Sequence, residues 1–275
     1  MERILTVTFL SPDDVVVLSQ ESLSGTDEDN PVQFNVTFVN ALFAELLKPT
    51  EISRDALLSY YVDYYLAQVG NGGFSQFVYN TGWEPEVITI VKQGLTAIGA
   101  TRHMALFEKG ESLVARKPSM LSKFLSGEYF GANKDRDRYD AITKQFYALN
   151  ESENLHQLNE TWLKSRPGLC VVPIAEARGL INLRASAIPD PEARKAEALA
   201  NAPKYMKLID ALCSAAGQSL DRVTAGDPTN EYEGKKTLAW HFITDKGHHY
   251  LVEVDGKAIM IDGTSNQKVV ELNTE

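Results

Sequence analysis

The chain reads as an α+β protein: an all-helical domain followed by a smaller domain of helices and a C-terminal antiparallel β-meander. Three observations predict it. Apolar residues recur at helical spacing through residues 31–165, the pattern changes to alternation beyond Gly217, and Gln68 to Trp83 packs glycines, amides and aromatics into one junction between helix-like segments. The expected divisions are 1–30 (a strand and a helix), 31–165 (helical) and 166–275 (α+β).

Leu5, Val7 and Phe9 alternate with Thr6 and Thr8, which predicts a strand over 3–10; Ser11-Pro12-Asp13-Asp14 then resembles a capped helix start before Val15–Leu18. Gly25 to Pro31, with Asp27-Glu28-Asp29, is a polar connection. Val32 to Leu47 carries both an alternating and a helical pattern, and helix is favoured for most of it. Residues 54–69 form the clearest helix, because Leu57, Leu58, Tyr61, Val62, Tyr65, Leu66 and Val69 make one stripe. Ser53 or Thr50 can cap its start, and Gly70 stands where a left-handed C-terminal cap is expected. A short helix through Phe77–Asn80 and another opened by Pro85 follow. Further helices are predicted over 102–116, 118–126, 136–149, 152–165, 192–200 and 203–216, with another between Val172 and the Pro189-Asp190-Pro191 break. Leu238–Thr244, His249–Val254, Lys257–Asp262 and Lys268–Leu272 alternate between turn residues and make the meander.

With 275 residues the chain can hold one large domain or two ordinary ones. Its apolar runs fall far short of the roughly 20 residues needed to span a bilayer, and the N-terminus lacks a signal-peptide pattern, so a cytoplasmic protein without membrane contact is expected. Cys170 and Cys213 lie in apolar surroundings without Cys-x-x-Cys spacing and read as reduced core thiols. The Asn35-Val-Thr and Asn159-Glu-Thr sequons carry no meaning in such a compartment. Net charge is −10; residues 1–50 hold 2 basic and 8 acidic side chains, whereas 51–150 hold 11 of each. An acidic protein disfavours direct nucleic-acid binding and permits a basic protein partner.

Asn71-Gly72-Gly73 could offer backbone N–H groups to an anion, but neither the phosphate-loop continuation nor dinucleotide-binding glycine spacing follows. A helix–helix corner relieved by glycine is the stronger reading, with Gln76 and Asn80 bonding each other or holding the loop and Phe74 and Phe77 packed inside. Tyr60, Asp63 and Tyr64 lie at the polar flank of the 54–69 stripe, equally consistent with an interface and with a rim. Of the five histidines, His241 is expected opposite Val252 and His249 opposite Asp262, with Lys246-Gly247 as the turn. That register separates His241 from His249 by on the order of 10 Å, too far for one metal ion. The His249–Asp262 pair could prepare an acid–base group, but no nucleophile motif accompanies it, so a structural pair is expected and no catalytic residue, metal or cofactor is assigned.

The run at 60–82, whose core is Asn-Gly-Gly-Phe-x-Gln-Phe-x-x-Asn at 71–80, resembles the hallmark of a bacterial domain family named for a DNA mimic protein. The resemblance extends over about 31–150. It implies a mainly helical fold, a dimer that displays carboxylates as DNA does phosphates, and a DNA-binding protein as partner. The expected function is therefore non-enzymatic occupation of a protein partner's surface. An immunity- or antitoxin-like inhibitor of a toxin is one alternative, and an enzyme with its site at the glycine corner or at His249 and Asp262 is another.

Overall fold

The computed structural model describes residues 10–24, 30–124, 129 and 132–274. The strand expected over 3–10 (all but Leu10) and the Asp27-Glu28-Asp29 connection lie outside the described residues. The chain divides into two compact units, Met1–Pro189 and Asp190–Glu275. That division falls beyond the composition change at Arg166, because the segment following it pairs and packs within the first unit.

The first unit runs β1 (Val17–Ser19), α1 (Gln20–Ser24), α2 (Pro31–Ala44), α3 (Arg54–Thr81), α4 (Pro85–Ala97), α5 (Thr101–Ala115), α6 (Pro118–Lys123), α7 (Lys134–Asp137), α8 (Asp140–Asn150), α9 (Leu155–Lys164), β2 (Cys170–Val172) and α10 (Ile174–Ser186). Local chemistry sets several starts. Asn30 accepts from the Gln33 N–H at 2.9 Å ahead of Pro31, Asn154 from the Gln157 N–H at 3.0 Å, and Ser53 from the Ala56 N–H at 3.5 Å. The segment ambiguous by pattern is thus helix α2, with Val32, Phe38, Val39 and Leu42 inward.

Helix α3 is central and packs against α2, α4, α8 and α9. Val62, Tyr65, Val69, Phe74, Phe77 and Val78 on it are fully buried, the valines and phenylalanines each stabilising the fold by about 1.5–3 kcal/mol in transfer free energy. Two amides fasten its first turns: Asn35 Nδ2 donates to the Ala56 carbonyl at 2.9 Å and Asn159 Nδ2 to the Ser59 carbonyl at 3.0 Å. Both sequon asparagines are therefore 1% exposed, and their amides serve the core.

Val15–Leu18 does not continue into a helix, contrary to its sequence pattern. Val17–Ser19 is a fully buried strand that pairs in parallel with Cys170–Val172, and the continuous apolar run Val15–Leu18 suits a strand buried on both faces. Asp13 and Asp14 instead close a turn on Ser11. The Asp14 carboxylate then meets Arg184 of α10 at 2.5 Å, with side chains 0% and 2% exposed and the guanidinium 5.6 Å from the Phe38 ring centre. Burial pushes Asp14 above the ordinary carboxyl range and Arg184 below that of a guanidinium, while their mutual attraction opposes both shifts.

The second unit comprises α11 (Pro191–Asn201), α12 (Lys204–Ala216), β3 (Leu220–Asp227), β4 (Glu231–Tyr232), β5 (Lys235–Lys236), β6 (Ala239–Thr244), β7 (Gly247–Val254), β8 (Lys257–Asp262) and β9 (Lys268–Asn273). Strands β3-β6-β7-β8-β9 form one antiparallel sheet in that order. Ile209, Leu212 and Cys213 of α12 cover Phe242, Leu251, Ala258 and Met260. Cys170 and Cys213 are free and buried, as their apolar neighbours predict. Among the described residues no helix is long and apolar enough to cross a membrane.

Candidate functional site

The glycine corner is a break inside α3 rather than the end of it. Gly70, expected in the left-handed region, remains helical; the chain departs at Gly72 (φ −154°, ψ 21°) and Gly73 (φ 80°, ψ 177°) and resumes until Gly82 caps the helix at φ 57°. Gly73 occupies a region essentially closed to residues with a Cβ. A Cβ there would also sit 2.7 Å from Thr143 Oγ1.

Helix α8 makes good the broken hydrogen-bond ladder. In an unbroken helix the Phe74 N–H would donate to Gly70; here it donates to Thr143 Oγ1 at 3.0 Å. One turn further along α8, the Tyr147 hydroxyl donates to the carbonyls of Val69 at 3.0 Å and Gly70 at 3.1 Å. Three amides then tie the two halves of α3 together. Gln76 and Asn80 do not bond each other; both donate to Gln68 Oε1, at 3.0 and 2.6 Å, so one acceptor before the break holds two donors after it. Asn71 and Gly72 are exposed at the outside of the bend. Gln68, Thr143 and Tyr147 complete this arrangement and were not singled out from sequence, although the i, i+4 spacing of Thr143 and Tyr147 on α8 is the signal that could have found them.

Inside the bend lies an aromatic cluster. Phe74 and Phe77 are 0% exposed; Phe74 lies 5.7 Å from Tyr139, and Phe77 lies 5.1 Å from Tyr65 and 5.7 Å from Phe107, centre to centre. The hallmark residues Asn71, Gly72, Gly73, Phe74, Gln76, Phe77 and Asn80 thus divide into backbone relief, amide ties and core rings.

Tyr60, Asp63 and Tyr64 sit half-buried on the outer flank of the same helix. The Tyr60 hydroxyl donates to Asn40 Oδ1 at 2.9 Å, and a relay of edge-on rings runs Phe43–Tyr60–Tyr61–Tyr64 at 5.8, 5.2 and 6.3 Å. Burial raises the pKa of Tyr60, Tyr61 and Tyr64. It also raises that of Asp63, against the lowering influence of His156. Tyr61 further borders a groove of about 620 Å³ with Arg54, Pro85 and Ile90.

In the second unit His249 lies opposite Asp262, as the pattern predicts, but His241 pairs with Tyr250 instead of Val252. The turn is Asp245-Lys246, with Thr244 paired to Gly247, so the register moves by two residues. Asp245 is drawn into it by accepting the Ser219 N–H at 2.8 Å. His249, 2% exposed, has Nδ1 at 3.0 Å from the Gly247 carbonyl and Nε2 at 3.9 Å from Asp262. Asp262 accepts from the N–H groups of Thr264 and Ser265 and from Ser265 Oγ, which hold its carboxyl below the ordinary range. It shapes the β8–β9 turn and stands beyond hydrogen-bond length from the imidazole. Among the described residues no group of three or more His, Cys, Asp or Glu can hold a metal ion.

A helical domain wound about one broken central helix, with amides and α8 side chains that lock the break, is the class defined here. Residues 50–166 match the family model described as DMP19-like protein. The match starts after α2 and takes in α9, later at both ends than the 31–150 span expected from the hallmark, and it covers under half of the chain. No curated protein and no solved structure matches the chain. The matched segment is close to neutral, with 14 acidic and 13 basic side chains; the excess acid lies at 1–50 and at 190–275, where 14 acidic face 10 basic.

Proposed function

We propose that the protein is a non-enzymatic binding module that occupies the surface of a DNA-binding protein partner. The DMP19-like match over residues 50–166 carries this reading. Its partner-facing residues would include Tyr60, Asp63 and Tyr64, since half-buried tyrosines around a carboxylate supply contact area and charge at little entropic cost. Neutral charge in the matched segment assigns any imitation of phosphate rows to the acidic flanks, which would steer a basic partner.

Affinity capture from the native cell with the tagged full chain tests this. A DNA-binding protein should be retained at low salt, lost as salt rises, and displaced by added duplex DNA. Repeated capture of no partner, or of one indifferent to duplex DNA, would overturn the reading.

Asp63→Asn sharpens the test. The raised pKa means that the folded state holds the Asp63 proton more tightly than the unfolded chain does. Stability from that proton is complete below the unfolded value of about 3.9 and is lost as pH rises through the folded value. The variant should therefore unfold at a higher temperature than the parent at pH 7, with the gain vanishing near pH 3, yet retain less partner. Lower stability at pH 7 would show that His156 outweighs burial, contrary to expectation.

A further inference from the structure

The register of β6 and β7 brings together two histidines that sequence spacing separates. His241 and His248 lie on the same face of adjacent strands, with His241 Nδ1 3.0 Å from His248 Nε2. Their ring centres are 5.1 Å apart and their planes differ by 11°. A centre separation close to two ring radii plus one hydrogen bond means that the rings meet nearly edge to edge, with the two facing nitrogens pointing at each other in plane. Both side chains are half-buried and reachable from solvent.

We propose that His241 and His248 form a two-imidazole site for a borderline divalent cation, zinc above all. Two Zn–N bonds of about 2.0–2.1 Å across a tetrahedral angle hold their nitrogens about 3.3–3.4 Å apart. The nitrogens need separate by only a few tenths of an ångström while each ring tilts by about 35° to turn its lone pair onto the ion. In the ion-free pair one facing nitrogen carries the shared hydrogen; on binding, that ring moves its proton to its outer nitrogen, and both lone pairs meet the metal without net proton release. Water fills the remaining positions, since no third protein ligand stands by among the described residues.

The surroundings hold the pair in place. The His248 carbonyl accepts the Gly263 N–H at 2.9 Å, and the His241 carbonyl accepts from Thr224 Oγ1 at 3.1 Å. The His248 ring lies over Gly263, where a Cβ would come within 2.0 Å of Nδ1, so the imidazole keeps this position only because residue 263 lacks a side chain. On the other flank the His241 ring meets Tyr250 at 5.5 Å. Asp227 lies close enough to His241 to feel its charge, and Asp262 exerts the same influence on His248, so carboxylates bias the local field towards a cation.

Zinc chloride titrated by calorimetry into the untagged full chain in metal-free buffer is the test, with imidazole nitrogen resonances followed in parallel. One ion per chain should bind, shifting the resonances of His241 and His248 and leaving those of His249 in place. His241→Gln and His248→Gln should each weaken uptake at least tenfold, while His156→Gln leaves it unchanged. Absence of uptake by the parent chain at millimolar zinc, or binding that persists in both glutamine variants, overturns the proposal. The resonance shifts are read on the parent chain and so do not depend on the variants folding.

Discussion

Gly73→Ala is expected to destabilise the protein by about 3 kcal/mol, whereas Gly72→Ala one residue earlier should cost about 1 kcal/mol. The contrast follows from what a methyl group would meet. At Gly73 the backbone sits at φ 80° and ψ 177°, and the new carbon would lie 2.7 Å from Thr143 Oγ1, the group that receives the Phe74 N–H. Neither the backbone nor that acceptor can yield without loosening the bend. At Gly72 the φ is negative and the obstruction is Gln76 Oε1 at 2.0 Å, the tip of a flexible side chain. Gln76 can swing away at the cost of its bond to Gln68. Urea unfolding of the two variants checks this; equal losses would mean that the left-handed conformation is not what residue 73 contributes. Asn80→Ala offers a milder comparison, because Gln68 keeps one of its two donors.

The second large effect is expected at the buried ion pair. Asp14→Asn preserves shape and removes charge, leaving the Arg184 guanidinium in the core without its counter-ion. Breaking such a pair costs about 3–5 kcal/mol, mostly from the abandoned charge. Replacing both partners by apolar groups of similar size, Asp14→Leu with Arg184→Met, should recover most of that loss. Chemical denaturation of the parent, the single and the double variant makes the comparison. A double variant no better than Asp14→Asn would mean that the pair is irreplaceable for reasons other than charge compensation.

Much of the helical unit was legible, since capping residues and apolar stripes are local signals: Ser53 and Pro85 each open a helix where the sequence places one. What escaped depended on distant partners. Val17–Ser19 becomes a strand only because Cys170–Val172 is available beside it, and Gly70 stays helical because Tyr147 caps its carbonyl from α8. In the second unit β3 was missed because its burial is weak and its pairing with β6 is irregular, so alternation is blurred. Turn choice decided the histidines. A shift of two residues preserves the face of every side chain, so the meander could be read correctly while His241 was assigned the wrong neighbour.

The parallel pairing of β1 with β2 has a consequence for biosynthesis. Glu21 accepts from the Ile174 N–H across 153 residues, and the same closure joins Val17 to Cys170. The whole segment matched to the family, which ends at residue 166, is therefore synthesised, and emerges from the ribosome, ahead of the strand that completes its unit. Until then Val16–Leu18 is an apolar tether awaiting its mate, and closing so wide a loop delays the final cooperative step. A nascent chain with residues up to 166 outside the exit tunnel should accordingly be cut by protease around Val16–Leu18, and one exposed to beyond Arg184 should resist there.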